Sequence, residues 1–274
     1  MPSAVDRFAG IAAAYDAARP HPPAELADVL RQWSGAGAPD VVDVGAGTGL
    51  STILWAGRAA TVTAVEPGDD MRAIAARRLG LTAGSPADSA GQDAGPTTFA
   101  VTAGSAEATG LPDNCADIVT ASQAMHWFDA DRALPEIVRI LRPGGVFAAY
   151  DCDWPPCVDW EVDEAYRACE QQQFALETGR DVRPPYAAKE EHAGRMRASG
   201  LFRFVTEIAV HHREEGDAGR LVALIRSQGG TVALLKEGLS EEELGLTRLR
   251  EVAGRRIPGP VPFWWTYRIR LAVR

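Results

Sequence analysis

The sequence predicts an α/β fold: a parallel sheet covered by helices on both faces. Three observations carry this reading. Between residues 41 and 150, short runs rich in β-branched residues alternate with stretches of helical spacing, the pattern of repeated strand–helix–strand crossovers. The first run ends in a glycine-rich turn, Val41 to Leu50, "VVDVGAGTGL", and such sheets bind ligands beyond the carboxyl ends of their strands. The composition, 46% hydrophobic and 24% charged over 274 residues, is that of an ordinary globular chain long enough for one large domain.

Residues 23–33 read as a helix: Pro23 suits its first turn, and Leu26, Val29, Leu30 and Trp33 recur at helical spacing. "VVDV", 41–44, is a short buried strand, and "GLSTILWAG", 49–57, returns to helical spacing through Leu50, Ile53 and Leu54. "TVTAVE", 61–66, is a second strand. "GDDMRAIAARRL", 68–79, is a helix with Asp69 and Asp70 at its start and Arg77 and Arg78 at its end, which suits the helix dipole. Residues 80–96 offer almost nothing to bury and read as a flexible surface insertion. "TTFAVTAG", 97–104, and "ADIVTAS", 116–122, are the third and fourth strands. In the next helix, Leu134, Ile137, Val138 and Leu141 share a face, and Pro135 is expected near the start, where its missing N–H does least harm. Pro143, Gly144 and Gly145 then turn the chain into a fifth strand, "VFAAY", 146–150.

Beyond residue 151 the pattern changes. Residues 152–200 and 218–256 are mainly helical, with Ser240 and Glu243 spaced as a capping box for the second helix of the latter stretch. "FRFVTEIAV", 202–210, alternates like a half-buried strand, with Phe202, Phe204, Ile208 and Val210 on one side. In "FWWTYRIRLAV", 263–273, Trp265, Tyr267, Ile269 and Leu271 face one way and Trp264, Thr266, Arg268 and Arg270 the other. The expected organisation is a single domain, 1–274, with a core at 35–151 and a helical cap from 152–200 and 218–256.

The formal net charge of −9 opposes an extended phosphate-binding surface, so no nucleic-acid partner is expected. No apolar stretch approaches the roughly 20 residues that span a bilayer, and the N-terminus lacks a basic start followed by an apolar core. A cytoplasmic monomer or homodimer is the expectation. The four cysteines, Cys115, Cys152, Cys157 and Cys169, make no C-x-x-C pair. His211 and His212 are adjacent in a strand and point to opposite faces, so no metal site is expected.

The glycine loop could serve several ligands. Its spacing is G-x-G-x-G, whereas the dinucleotide fingerprint is G-x-G-x-x-G/A, and no lysine follows as a P-loop requires. Glu66, at the end of the second strand and about 20 residues from the glycines, is placed to accept hydrogen bonds from both hydroxyls of a ribose.

Together these blocks resemble the class I S-adenosylmethionine-dependent methyltransferases, in their small-molecule branch that includes trans-aconitate-type enzymes. "VVDVGAGTGL" resembles the family's first motif and "VTAVEPGDDM" its second-strand motif. "AGSAEATGLPDNCADIVTASQAMHWFD" and "ILRPGGVFAAYD" resemble the later blocks, and "YDAARPHPP" the segment that precedes the fold. The resemblance covers about residues 10–150. It implies a Rossmann-like, seven-stranded, mostly parallel sheet with the last strand antiparallel, plus a helical cap. It also implies S-adenosyl-L-methionine as cofactor. Carried over by position, Gly45, Ala46 and Gly47 would line its methionine and ribose parts, Glu66 with the adjoining Pro67 would hold the ribose, and Met71 would lie near the adenine. Ser105 and Ala106 would flank the adenine, Ser122 and Gln123 would sit beneath the methionyl portion, and Tyr15 and Arg19 would close over the carboxylate. Many relatives carry Asp where Ser105 stands.

Methyl transfer asks the protein chiefly for alignment, and for a general base when the acceptor is a phenol, an alcohol or an acidic carbon. His126, just past the fourth strand, is the leading base candidate, because an imidazole exchanges protons near neutral pH. Asp151 and Asp153 are second candidates. Trp154, Trp160, Tyr166, Phe174, Tyr186, Phe202, Trp264 and Trp265 are candidates to line an apolar acceptor pocket, although most are expected in the core. The expected activity is methyl transfer to a small-molecule acceptor. The rivals are an S-adenosylmethionine-binding protein with another chemistry or none, and an NAD-dependent oxidoreductase.

Overall fold

The computed structural model describes residues 18–81, 96–180 and 187–274. Tyr15, Tyr186 and residues 82–95 of the expected insertion lie outside them. The strands are β1 (Asp40–Val44), β2 (Thr61–Val65), β3 (Thr98–Thr102), β4 (Ala116–Ser122), β5 (Leu141–Cys152), β6 (Phe204–Gly216) and β7 (Val261–Val273). The helices are α1 (Ala24–Ser34), α2 (Asp69–Arg78), α3 (Ala130–Ile140), α4 (Trp160–Arg180), α5 (His192–Ala198), α6 (Ala218–Arg226), α7 (Gly229–Lys236) and α8 (Leu246–Arg256).

The strands form one seven-stranded sheet in the order β3-β2-β1-β4-β5-β7-β6. β1 pairs in parallel with β2 and with β4, β2 with β3, and β4 with β5. β7 runs antiparallel to β5, with Val146 opposite Val273 and Cys152 opposite Tyr267. This is the mostly parallel sheet with an antiparallel last strand that the resemblance implies. The order reverses between β1 and β4, which opens a crevice at their carboxyl ends.

The chain divides into two compact units. The sheet unit comprises His21–Cys152, Tyr186–Val210 and Tyr267–Arg274, and the helical unit Met1–Pro20, Asp153–Pro185 and His211–Thr266. In the sheet unit, α3 buries Ala133, Leu134, Ile137 and Ile140 against Val42, Val44, Val119, Ala121, Phe147 and Ala149. The alternate strand residues Val41, Ile118, Val146 and Ala148 are equally buried. Successive strand residues point to opposite faces, so both faces of these strands are covered. α1 packs against β4 and β5, and α2 against β3. Each large aliphatic side chain removed from water in this way contributes about 1.5–3 kcal/mol. In the helical unit, α4 packs against α7 and α8, and α6 against α8. Thr231 donates to Gln173 Oε1 at 2.6 Å, and the Gln173 amide donates to the Leu244 carbonyl at 3.1 Å, which answers the polar groups buried between them.

Several elements differ from the sequence reading. Residues 49–57 make only a short 3-10 turn, Thr52–Trp55, because Gly49 and Gly57 bracket it in the left-handed conformation. Pro135 lies inside α3 and not in its first turn, since Asp129 caps the helix earlier by accepting the Asp131 N–H. The Pro143–Gly145 turn is a bulge, falling between the Ala116–Leu141 and Ile118–Val146 pairs. β6 continues past Val210 to Gly216, and its Phe204 is half exposed against Trp33, ring centroids 5.8 Å apart. The Ser240–Glu243 capping bonds form, but the α-helix begins only at Leu246. Arg270 shares a strand face with Arg268, yet it is 3% exposed where Arg268 is open to solvent.

Candidate active site at the carboxyl rim of the sheet

The parallel registers bring the carboxyl ends of β1, β2, β3 and β4 to one rim of the sheet unit. Residues 45–47, 66–67, 71, 105–106, 123 and 126 all follow those ends, and Ser122 is the last residue of β4. Leaving β1, the backbone N–H groups of Gly45 and Ala46 donate to the Val65 carbonyl at 2.9 and 3.2 Å, so the loop folds back over β2. Gly45 and Gly47 both adopt positive φ, +68° and +57°, a conformation that costs other residues about 1–2 kcal/mol. Their surroundings differ. A Cβ on Gly45 would lie 2.8 Å from the Ala124 Cβ, whereas one on Gly47 would meet nothing within 4 Å. The first glycine lets β1 approach the end of β4, and the second leaves open space over the loop.

The Glu66 carboxylate joins the two loops. One oxygen accepts the Gly47 N–H and the other the Gly68 N–H, both at 2.9 Å. Burial pushes the carboxyl above its ordinary range, against the opposing pull of those two amides and of the Arg72 guanidinium. Arg72 in turn donates to the carbonyls of Glu66 and Pro67. Pro67 is exposed and Met71, in the first turn of α2, is half-buried. Beyond β3, Ser105 and Ala108 exchange backbone hydrogen bonds at 3.1 and 3.2 Å, a tight turn that seats Ala106 in the core.

At the end of β4, Ser122 is half-buried and Gln123 takes φ +51°, a sparsely populated conformation for a residue with a side chain. Two contacts hold it: its amide donates to Cys152 Sγ at 2.8 Å, and Lys189 Nζ donates to its Oε1 at 3.0 Å. His126 follows in a 3-10 turn, Met125–Trp127, nearly buried. Its Nδ1 lies 3.8 Å from Asp151 Oδ1.

The fifth strand runs on past the expected Tyr150 and takes in Asp151. Asp151 is buried there, paired with Lys189 at 2.9 Å and Arg270 at 3.1 Å. Burial alone would raise its carboxyl, but Lys189, His126 and Arg270 outweigh burial and hold it below the usual range. A carboxylate so paired is a poor proton acceptor, which corrects its standing as a second base candidate.

Sequence reasoning passed over Asp43 and Lys189. Asp43 is fully buried in β1 and accepts from Thr52 at 2.6 Å and from Thr120 at 2.7 Å, pinning β1 to the following turn and to β4. Burial raises it to about 6, with the two threonines pulling the other way. A carboxylate inside an apolar strand was the readable signal, since a buried charge must be answered by donors. Lys189 carries no motif and arrives from a different element.

The helical unit holds the rest. Arg19 donates to Ser227 Oγ and to its carbonyl, both at 3.1 Å, and lies over the Trp154 ring at 4.8 Å. The Asp153 N–H donates to the Thr266 carbonyl at 2.8 Å. Tyr166 and Trp265 are core, while Trp160, Phe174 and Trp264 are 70%, 49% and 54% exposed. In the sheet unit, Phe202 stacks on Phe147 at 6.1 Å. Among the described residues, no group of three or more His, Cys, Asp or Glu is arranged to hold a metal ion, and no helix is long and apolar enough to cross a membrane.

Residues 42–149 match the family model described as a methyltransferase domain. The chain is similar to an uncharacterized methyltransferase of Mycobacterium tuberculosis, 38% identical over 138 residues, which cover 50% of this chain and 49% of that protein. It thus spans about half the length of the curated mycobacterial relatives it matches. Among solved structures it resembles a candidate type II methyltransferase of Anaeromyxobacter dehalogenans, with TM-score 0.62 and 25% identity over 93% of this chain and 97% of that one. It shares its fold with a Haemonchus contortus phosphoethanolamine N-methyltransferase solved with S-adenosylhomocysteine, at TM-score 0.54 and 14% identity, covering 100% of this chain and 60% of that one.

Proposed function

We propose that this protein, whose residues 42–149 match a methyltransferase domain model, transfers a methyl group from S-adenosyl-L-methionine to a small-molecule acceptor. The observation that carries the reading is the Glu66 carboxylate bonded to the Gly47 N–H at the sheet's reversal point. That pairing fixes a buried acid beside open space, where a ribose would be recognised through its two hydroxyls.

The rim fits the cofactor. Gly45, Ala46 and Gly47 would line its methionine and ribose parts, with the space over Gly47 admitting close approach. Glu66 and Pro67 would hold the ribose, Met71, Ser105 and Ala106 would bound the adenine, and Ser122 and Gln123 would lie under the methionyl portion. When bound, the cofactor supplies an electrophilic methyl on a sulfonium, which requires in-line alignment more than bond activation. The chain's task is then to orient the acceptor, exclude water and take a proton where the acceptor carries one. His126 is proposed for that last role.

The test is to incubate the protein with methyl-labelled cofactor and a panel of phenols, alcohols, amines and carboxylates. Label is expected in a small-molecule product. In His126→Ala, turnover should fall at least tenfold while cofactor affinity stays nearly unchanged. Thermal protection by NAD and not by S-adenosylmethionine would overturn the proposal.

A further inference from the structure

The turn that ends β4 is held by a segment distant in the chain. Gln123 takes φ +51° there, a left-handed backbone that a side chain disfavours, and its N–H donates to the Tyr150 carbonyl of β5 at 2.8 Å. Its carboxamide is held at both ends. Lys189 Nζ donates to Oε1 at 3.0 Å, and Nε2 donates to Cys152 Sγ at 2.8 Å. A thiol can donate or accept, whereas an ammonium only donates, so Lys189 decides which way round the carboxamide lies. Lys189 opens the 3-10 turn Lys189–Glu191 before α5, 66 residues along the chain from Gln123. Two residues earlier, the Ala187 N–H donates to the His126 carbonyl at 2.9 Å, so the same segment ties the turn after β4 at a second point. The ammonium is itself anchored, 2.9 Å from the buried Asp151 of β5. Cys152 is the next residue of that strand, so both anchors of the carboxamide are tied to the strand beside β4.

We infer that Lys189 is a positioning residue for Gln123, which holds the carboxamide in one orientation before the methyl donor arrives. The inference rests on the reading that Ser122 and Gln123 lie under the methionyl portion of the cofactor. A glutamine side chain left to itself spreads over several staggered rotamers, and its terminal amide turns broadly about the last bond. Ordering such a side chain on binding weakens affinity, and ordering it beforehand removes that cost. Lys189 supplies this order from outside β4, and Asp151 keeps the ammonium from following the solvent.

The test uses the whole chain, first without ligand and then with S-adenosylhomocysteine. In NMR relaxation of the ligand-free protein, the Gln123 side-chain NH2 should be as rigid as the Gln123 backbone N–H. In Lys189→Met the side-chain NH2 should become mobile while the backbone N–H stays rigid, and Lys189→Arg, which keeps a donor, should restore the order. In calorimetry, Lys189→Met should weaken S-adenosylhomocysteine binding roughly fivefold, Lys189→Arg should weaken it less, and Lys189→Met should add no further loss in a Gln123→Ala background. A residue that only supports the fold would weaken binding alike in both backgrounds. If Lys189→Met does not fold, the wild-type side chain and Lys189→Arg carry the test. A mobile Gln123 carboxamide in the wild type, a carboxamide unmoved by Lys189→Met, or equal losses in the two backgrounds would overturn the positioning role. A carboxamide ordered by Lys189 in a protein that binds no S-adenosylhomocysteine would bear out the positioning and instead sink the cofactor reading.

Discussion

The Glu66 carboxylate accepts the Gly47 backbone N–H at 2.9 Å, so the acid expected to read a ribose also shapes the loop beside it. Glu66→Ala should therefore weaken binding of S-adenosylhomocysteine at least tenfold, by removing the recognition group and loosening the loop together. Glu66→Gln keeps one acceptor oxygen and should lose less. Calorimetric titration of the two variants checks this, and equal affinities in Ala, Gln and wild type would contradict it.

The two loop glycines should separate folding from binding. Gly45→Ala combines a left-handed backbone with a contact 2.8 Å from Ala124 and should cost roughly 2–4 kcal/mol of stability. Gly47→Ala meets open space and should cost only about 1–2 kcal/mol, yet it places a methyl where the ligand must approach. Urea denaturation should rank Gly45→Ala as the less stable variant, and calorimetry should show that Gly47→Ala, still folded, binds the cofactor more weakly than wild type.

Gly230 in α7 should resist a change that usually helps a helix. Alanine is favoured over glycine by about 1 kcal/mol in helix interiors, but a Cβ here would overlap the Glu177 carboxylate of α4, itself largely buried. Gly230→Ala is expected to lower the melting temperature, whereas Gly230→Ala combined with Glu177→Ala should recover part of the loss. A stabilised single variant would show that Glu177 is free to move.

Acid stability should contain two opposing contributions. Burial pushes the His192 imidazole down to about 4, so the stability it contributes is present above about 6.5 and is lost as pH falls toward 4. Asp43 is raised by burial from 3.8 to about 6, so its contribution is present below 3.8 and is lost as pH rises through 6. Each is worth on the order of 2–3 kcal/mol across this window. Relative to wild type, His192→Leu should gain stability between pH 6.5 and 4, and Asp43→Asn should lose it. Parallel stability–pH curves for all three proteins would refute this.

Much of the sheet was legible because its signals are local. β1, β2 and β4 are short runs of buried β-branched residues whose spacing survives any neighbour, and Glu66 is placed by its distance from the glycines. What failed was set by contacts distant in sequence. The alternation puts Arg270 on one strand face with Trp264, Thr266 and Arg268 but does not say what covers it; Asp151 and Glu207 pair with it there. Lys189 reaches Asp151 from 38 residues away with no motif to announce it. Pro135 was misplaced because the capping role of Asp129 depends on where the chain leaves β4. The rim positions at 45–47, 66–67, 105–106 and 122–123 do converge on one edge of the sheet, while Arg19 belongs to the helical unit and there engages Ser227 and Trp154.

The central claim is that this rim holds S-adenosylmethionine, and calorimetric titration of the whole chain tests it most directly. Saturable binding of S-adenosylmethionine and S-adenosylhomocysteine at one site, with micromolar dissociation constants lost in Glu66→Ala and no heat from NAD, is the predicted result. Binding of NAD, or of neither cofactor by a folded protein, would contradict it.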